Sequence, residues 1–314
     1  MNVMAGLDAG QAYEGGPTML AEEILRHPAR AMTDTQRRAY FDEGFVLLPS
    51  FVDGAWLATL RSAVARFVEE SRSLTRSDSI YDLEPDHTAQ APRLRRVSSP
   101  CDHDETIWRF LTESPLAEAL ADVLGPDVKF YQAKLNFKWA KGGAEVAWHQ
   151  DQPFFPHTNH AVLTCGVYLN DCGPEQGPLM CLPGSHKGEI HDHYDESGTW
   201  RGEVRADVRA SLDVGRAVEL MGPAGSVTMH NYRTLHASRQ NMSDEGRPLL
   251  LFVASAADAM PYTAQPLKSR YEQSIIRGAP AAFAHHEPGR FRLPPDWSGG
   301  YSSIFALQKQ EAAQ

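Results

Sequence analysis

Residues 128–140 read VKFYQAKLNFKWA, and with this run the texture of the chain changes. Five more β-rich runs follow: VLTCGVYLND (162–171), LMCLPGSH (179–186), RAVEL (216–220), GSVTMHN (225–231) and PLLLFVASAA (248–257). Clusters of Gly, Pro and Asn separate them, as expected for short strands joined by turns. No helix stands between successive runs, which argues against a parallel βαβ sheet. The expectation is an antiparallel sandwich or barrel with helices packed outside it.

The helical signals lie upstream. In TDTQRRAYFDEGFVLLPSF (33–51), Thr33 and Gln36 have capping-box spacing, Gly44 can end the helix, and FVLLPSF then reads as a strand. Leu57, Leu60, Val64 and Phe67 recur at helical spacing, which predicts an amphipathic helix over 55–70. Ser114 with Pro115 announces another helix that Gly125 closes. Residues 1–30 show little periodicity and read as a loose arm before a single domain over 31–314. The polar segment 187–213 is long for a connection. Together with the tail 258–314 it is expected to cover a pocket.

The bulk numbers exclude several function classes. The chain has 314 residues, 42% hydrophobic and 22% charged, with a formal net charge of −10. An acidic surface disfavours nucleic acid or an anionic membrane as the main partner. No apolar run is long enough to span a bilayer. Cys101, Cys165, Cys172 and Cys181 form no C-x-x-C pair. They read as reduced thiols in a cytoplasmic protein, Cys165 and Cys181 as small buried hydrophobes. The oligomeric state is not legible.

The chemistry lies in VAWHQDQPFFPH (146–157). On a strand, His149 and Asp151 share one face and Gln150 the other. An imidazole and a carboxylate so placed need one more ligand to occupy three adjacent corners of an octahedral metal, as in non-haem Fe(II) oxygenases. The pattern recurs at His193-Tyr194-Asp195, in the charged loop EIHDHYDESG, which reads as solvated. The third ligand should come from a later strand, where His230 and His236 compete; composition does not choose between them.

WHQD, LPGSHKG and LHASRQNMSDEGRP together make the chain resemble the phytanoyl-CoA dioxygenase family of Fe(II)/2-oxoglutarate oxygenases, ectoine hydroxylases among them. The likeness runs from Thr33 to about Ala257. It implies a mostly β protein, a double-stranded β-helix (a jelly-roll or cupin-like barrel) with helices largely N-terminal. It also implies Fe(II), 2-oxoglutarate as cosubstrate, and O₂. The H-x-S-x-x-N pattern of the family falls on His236, Ser238 and Asn241, so His149, Asp151 and His236 become the implied metal ligands and catalytic centre. The family offset of eleven residues lands on Arg247, the implied partner of the distal carboxylate of 2-oxoglutarate. Because NMSDEG is a turn, the strands of His236 and Arg247 are expected to form a hairpin. Gln132 and Asn136, on one face of a strand with Lys134 between them, are implied near the cosubstrate, as is Ser238.

Phe154, Phe155 and His157 are expected to line the substrate pocket. Arg93, Arg95 and Arg96 read as a solvated charge run. The segment QPFFPHTNH departs from the ectoine hydroxylases, so ectoine is not the expected substrate. The implied reaction is hydroxylation of a small organic molecule with release of succinate and CO₂. Desaturation, epoxidation, rearrangement or a non-catalytic binding role are the alternatives. Asp151 itself argues against halogenation, for which the family places a small residue there.

Overall fold

The structure, a computed structural model, describes residues 21–300 together with Ile304 and Gln308. Among these residues the strands are β1 (Phe45–Leu48), β2 (Tyr81–Leu83), β3 (Leu94–Ser98), β4 (Val128–Lys138), β5 (Val146–His149), β6 (Val162–Tyr168), β7 (Leu179–Cys181), β8 (Val218–Leu220), β9 (Val227–Asn231), β10 (His236–Ser238), β11 (Arg247–Ala256) and β12 (Ile275–Arg277). They make two antiparallel sheets. The major sheet runs β1-β9-β6-β11-β4-β3-β2, with β12 also on β4; the minor sheet runs β5-β10-β7-β8. Helical residues are about as numerous as strand residues among those described, so the two antiparallel sheets carry a mixed α/β fold with the helices mostly N-terminal.

The strand period of two sorts the side chains. From β11, Leu250, Phe252 and Ala254 join the core beneath the helices Gly54–Glu70, Glu105–Glu113 and Leu116–Leu124. Burying a side chain such as Phe252 contributes about 2–3 kcal/mol. The alternate residues Arg247, Leu249 and Leu251 face the barrel interior. On β4 the same sorting passes through a bulge: Val253 pairs with Gln132 and Ala254 with Phe130, leaving Tyr131 as the extra residue. Before the bulge Val128 and Phe130 are core; after it Ala133, Leu135 and Phe137 are. The shift turns Gln132, Lys134, Asn136 and Lys138 inward together, a common use of bulges near functional sites.

Local signals place the helix boundaries to within one residue. The capping box at Thr33 and Gln36 is present, and Gly44 ends that helix at φ 87°. A Cβ on Gly44 would stand 2.7 Å from Thr234 Oγ1 and closer still to the His186 ring, so this position requires glycine on two counts. Ser114 Oγ accepts from Leu116 N–H, and Gly125 closes the helix.

Of the arm expected over 1–30, residues 1–20 lie outside the described residues. Residues 21–30 are not loose. Ala21–Arg26 is helical, Arg37 donates to His27 O at 2.9 Å, and Asp122 receives the Arg30 and Ala31 amides. A buried arginine in the next helix and a buried carboxylate about 90 residues on hold this segment.

The hairpin expected between His236 and Arg247 does not form. β10 pairs with β5 and β7 in the minor sheet, whereas β11 pairs with β4 and β6 in the major one. The turn after Asn241 is therefore a crossing between sheets. Asn241 fixes it by donating to Lys138 O and Glu245 O, 2.9 and 2.7 Å.

Candidate functional site

Register brings the first histidine pair together. His236 on β10 stands opposite His149 on β5, with ring centroids 4.1 Å apart. β5 ends at His149, so Asp151 lies in the following bend rather than on the strand. Its carboxylate nonetheless turns back: Oδ1 is 4.0 Å from Nε2 of both His149 and His236. One ligand atom from each residue lies within 4.8 Å of the others, and all three residues are buried. Atoms this close can share one ion at the roughly 2 Å bond lengths of imidazole and carboxylate.

The surrounding hydrogen bonds set the chemistry of each ligand atom. His149 Nδ1 donates to Ala147 O and His236 Nδ1 to Thr234 O, both at 2.8 Å. These bonds place the proton on Nδ1 and leave each Nε2 lone pair aimed at the shared space, the usual arrangement of metal-bound histidine. Burial lowers the His149 pKa to about 4 and holds His236 well below its ordinary value. Both rings are neutral donors at physiological pH. Asp151 Oδ2 accepts from Thr164 Oγ1 at 2.6 Å and faces His230 Nε2 at 3.4 Å, leaving Oδ1 for a metal. Burial alone would raise the Asp151 pKa, but His230, His236 and Lys134 outweigh it and hold the carboxyl well below the usual range. His230 thus supports the aspartate from behind.

The same cavity gathers the residues implied for a cosubstrate. Asn136, Ser238 and Arg247 line it together with His149, Asp151 and His236. Gln132 joins on the adjoining side with Phe154 and Phe155. Gln132 Oε1, Asn136 Oδ1 and the Nε and Nη1 atoms of Arg247 are buried without protein partners. Buried polar atoms are seldom left unpaired, so this row suits a polar ligand running from the histidines to the guanidinium. The residues present therefore fit both Fe(II) and a keto diacid.

Several lining residues were not singled out from sequence. Lys138, the cross-strand partner of Arg247, donates to Ser238 O and Arg239 O; burial and then Arg247 push its pKa well down. Thr164 carries no motif at all. Of the three arginines expected as a solvated run, Arg96 is buried and lines the cavity, and Arg95 is buried against Asp82 and Glu84. Only Arg93, paired with Asp86, is nearer the expectation.

Two other expectations are corrected. His157 does not reach the metal cavity; it lines a separate cavity of about 440 Å³ and donates from Nδ1 to Phe155 O. His193, read as solvated, is 1% exposed, because Trp200 stacks on it and Phe154 meets its ring edge. Phe154 and Phe155 line the metal-side cavity and also belong to an aromatic cluster with Tyr131, Trp200 and Tyr232. The tail contributes Ile304 to the cavity wall, and Gln308 accepts from Ala147 N–H at 3.1 Å. No helix among the described residues is long and apolar enough to cross a membrane.

Comparison with known proteins agrees with this geometry. The family model for phytanoyl-CoA dioxygenase (PhyH) matches residues 40–249. A probable alpha-ketoglutarate-dependent hypophosphite dioxygenase of Stutzerimonas stutzeri is 33% identical over 250 residues, 79% of this chain and 87% of that protein. An ectoine dioxygenase of Bordetella parapertussis is 29% identical over 247 residues, 73% of this chain and 77% of that one. The crystal structure of EctD from S. alaskensis with 2-oxoglutarate and 5-hydroxyectoine superposes with a TM-score of 0.64 at 21% identity, covering 88% of this chain and 96% of that one. That likeness shows the double-stranded β-helix fold.

Proposed function

Because this chain belongs to the phytanoyl-CoA dioxygenase family and is a 2-oxoglutarate-dependent dioxygenase using Fe(II), we propose that it hydroxylates a small polar molecule. Succinate and CO₂ are the co-products. One observation carries the reading: a buried His-Asp-His cluster shares its cavity with a buried arginine whose Nε and Nη1 have no protein partner.

His149, Asp151 and His236 would hold the iron. With 2-oxoglutarate and O₂ the metal centre supplies an oxidation in which one oxygen atom goes to the substrate and the other to succinate. Arg247 would take the distal carboxylate, since a guanidinium matches a carboxylate in shape and charge. Asn136, Ser238 and Gln132 line the space between, and Thr164 with His230 occupies Oδ2 of Asp151, so that Oδ1 would be the oxygen left to hold the iron. The substrate would enter past Phe154, Phe155, Leu267 and Ile304, whose apolar surfaces exclude water from the reacting centre. The named relatives are a probable hypophosphite dioxygenase and an ectoine dioxygenase, and hypophosphite and ectoine are both small and polar, which supports a substrate of that size.

The test begins anaerobically. Protein given Fe(II) and 2-oxoglutarate should develop a weak visible charge-transfer band. A panel of small polar compounds, scored by succinate formed above the uncoupled background, then identifies the substrate. Protein that binds Fe(II) but never shows the band and never forms succinate would overturn the reading.

A further inference from the structure

Gln150 is the middle residue of the first H-x-D and is fully buried, yet no role falls to it as a ligand. Its side chain spans two other segments. The amide nitrogen donates to Glu189 O at 3.0 Å and to Arg233 O at 2.7 Å, and the amide oxygen accepts from His191 N–H at 2.9 Å. Its backbone N–H donates to His193 Nε2 at 3.1 Å. Since that nitrogen accepts, the His193 proton is on Nδ1, which donates to His191 O at 2.9 Å. Every one of these contacts joins residues at least 39 positions apart, except the last.

We propose that Gln150 and His193 are positioning residues that brace the metal triad, Gln150 with its side chain and His193 as the acceptor for its backbone. The proposal rests on the triad reading above. Gln150 is covalently bonded to both His149 and Asp151. Through Arg233 O it also grips the turn that delivers His236, whose Nδ1 is held by Thr234 O one residue further on. One amide therefore sets the distance between the two arms of the claw. The same amide pins the start of the 187–213 segment across them. His193 backs this up: it fixes the Gln150 peptide and is itself wedged by Trp200 and Phe154. The second H-x-D thus supplies a brace for the first.

The test uses Gln150→Glu and His193→Phe in the full chain, titrated with Co(II) and followed by its visible absorption. Gln150→Glu keeps the shape but replaces the donor to Glu189 O and Arg233 O by an acceptor. His193→Phe keeps an aromatic ring against Trp200 and Phe154 and deletes both the Nε2 acceptor for the Gln150 peptide and the Nδ1 donor to His191 O. Each should weaken Co(II) binding by about 10- to 100-fold, the usual cost of losing a group that orients a ligand. Each should also alter the Co(II) spectrum, and amide exchange should rise at 189–193 and 231–235 in metal-free protein. Unchanged Co(II) affinity and spectrum, with exchange alone raised, would show a structural contact only and overturn the proposal. If Gln150→Glu does not fold, His193→Phe decides alone. Wild-type protein lacking the Fe(II)–2-oxoglutarate band would refute the proposed function instead, independently of both variants.

Discussion

The chain carries the same three-residue pattern twice, and the two copies do opposite things. At 149–151 the strand ends at the histidine, the aspartate curls back, and the ligand atoms come to 4.0 Å. At 193–195 the histidine turns inward to accept a peptide N–H, while Asp195 turns outward and closes its own loop. That carboxylate accepts from Ser197 N, Ser197 Oγ and Thr199 N and pairs with Arg201 at 2.8 Å. Side-chain type is identical in the two copies. What differs is the partner across the gap: a second strand presenting His236 in one case, a turn of the same loop in the other. A ligand set belongs to the convergence of strands, not to the pattern.

The bluntest way to break this comparison is to delete the aspartate of each copy. Asp151→Ala should abolish the charge-transfer band and succinate formation, because no other carboxylate among the described residues reaches the two imidazoles. Asp195→Ala should leave both intact. Loss of the band in Asp195→Ala at unchanged folding would mean that the second copy takes part in metal binding after all.

How much of this could be read beforehand follows from how far each determinant reaches. Thr33, Gln36 and Gly44 act on their own turn, so their caps were legible. The face shared by Gln132, Lys134 and Asn136 follows from strand period alone and was legible too. The hairpin between His236 and Arg247 was not: turn residues say that the chain reverses, but only Asn241 bonding to Lys138 O decides that it crosses to the other sheet. His193 sits among charged neighbours, and its burial comes from Phe154 and Trp200 as well as from Gln150, 43 positions away. Thr164, Lys138 and Arg96 became site residues only through register. Composition near a residue reports its own segment; a site here is made of segments brought from far apart.

The next two tests compare the ends of the cavity. Arg247→Met removes the cation at the far end while leaving the triad alone. Truncating one partner of a buried charge pair costs about 2–5 kcal/mol, so the KM for 2-oxoglutarate should rise by roughly 30-fold or more. Iron affinity without cosubstrate should not change. An unaltered KM would remove Arg247 from the cosubstrate site. At the near end, Thr164→Val deletes the 2.6 Å hydrogen bond to Asp151 Oδ2. About 1.5–3 kcal/mol goes with a hydrogen bond to a charged group, so Fe(II) should bind about ten times more weakly, with the 2-oxoglutarate KM changed less.

The smallest effect returns to what the two copies share, a buried neutral histidine. Burial lowers the pKa of His149 to about 4 and of His193 to about 3, and the same cause sets His157 near 3 and His160 near 4. In the unfolded chain each would titrate near 6.5. Between these values the unfolded state binds more protons than the native one, so stability is full above about pH 6.5 and falls as the pH drops toward 4. Each such ring contributes at most about 1.4 kcal/mol per pH unit in that window. Metal-free protein should therefore lose thermal stability steadily from pH 6.5 to 5. His193→Phe removes one titrating base, so its stability should decline less steeply than the wild type, by up to about 1.4 kcal/mol per pH unit at the acid end of that range. Parallel slopes in the two proteins would mean that His193 is protonated in the native state, which a ring accepting from the Gln150 peptide cannot be.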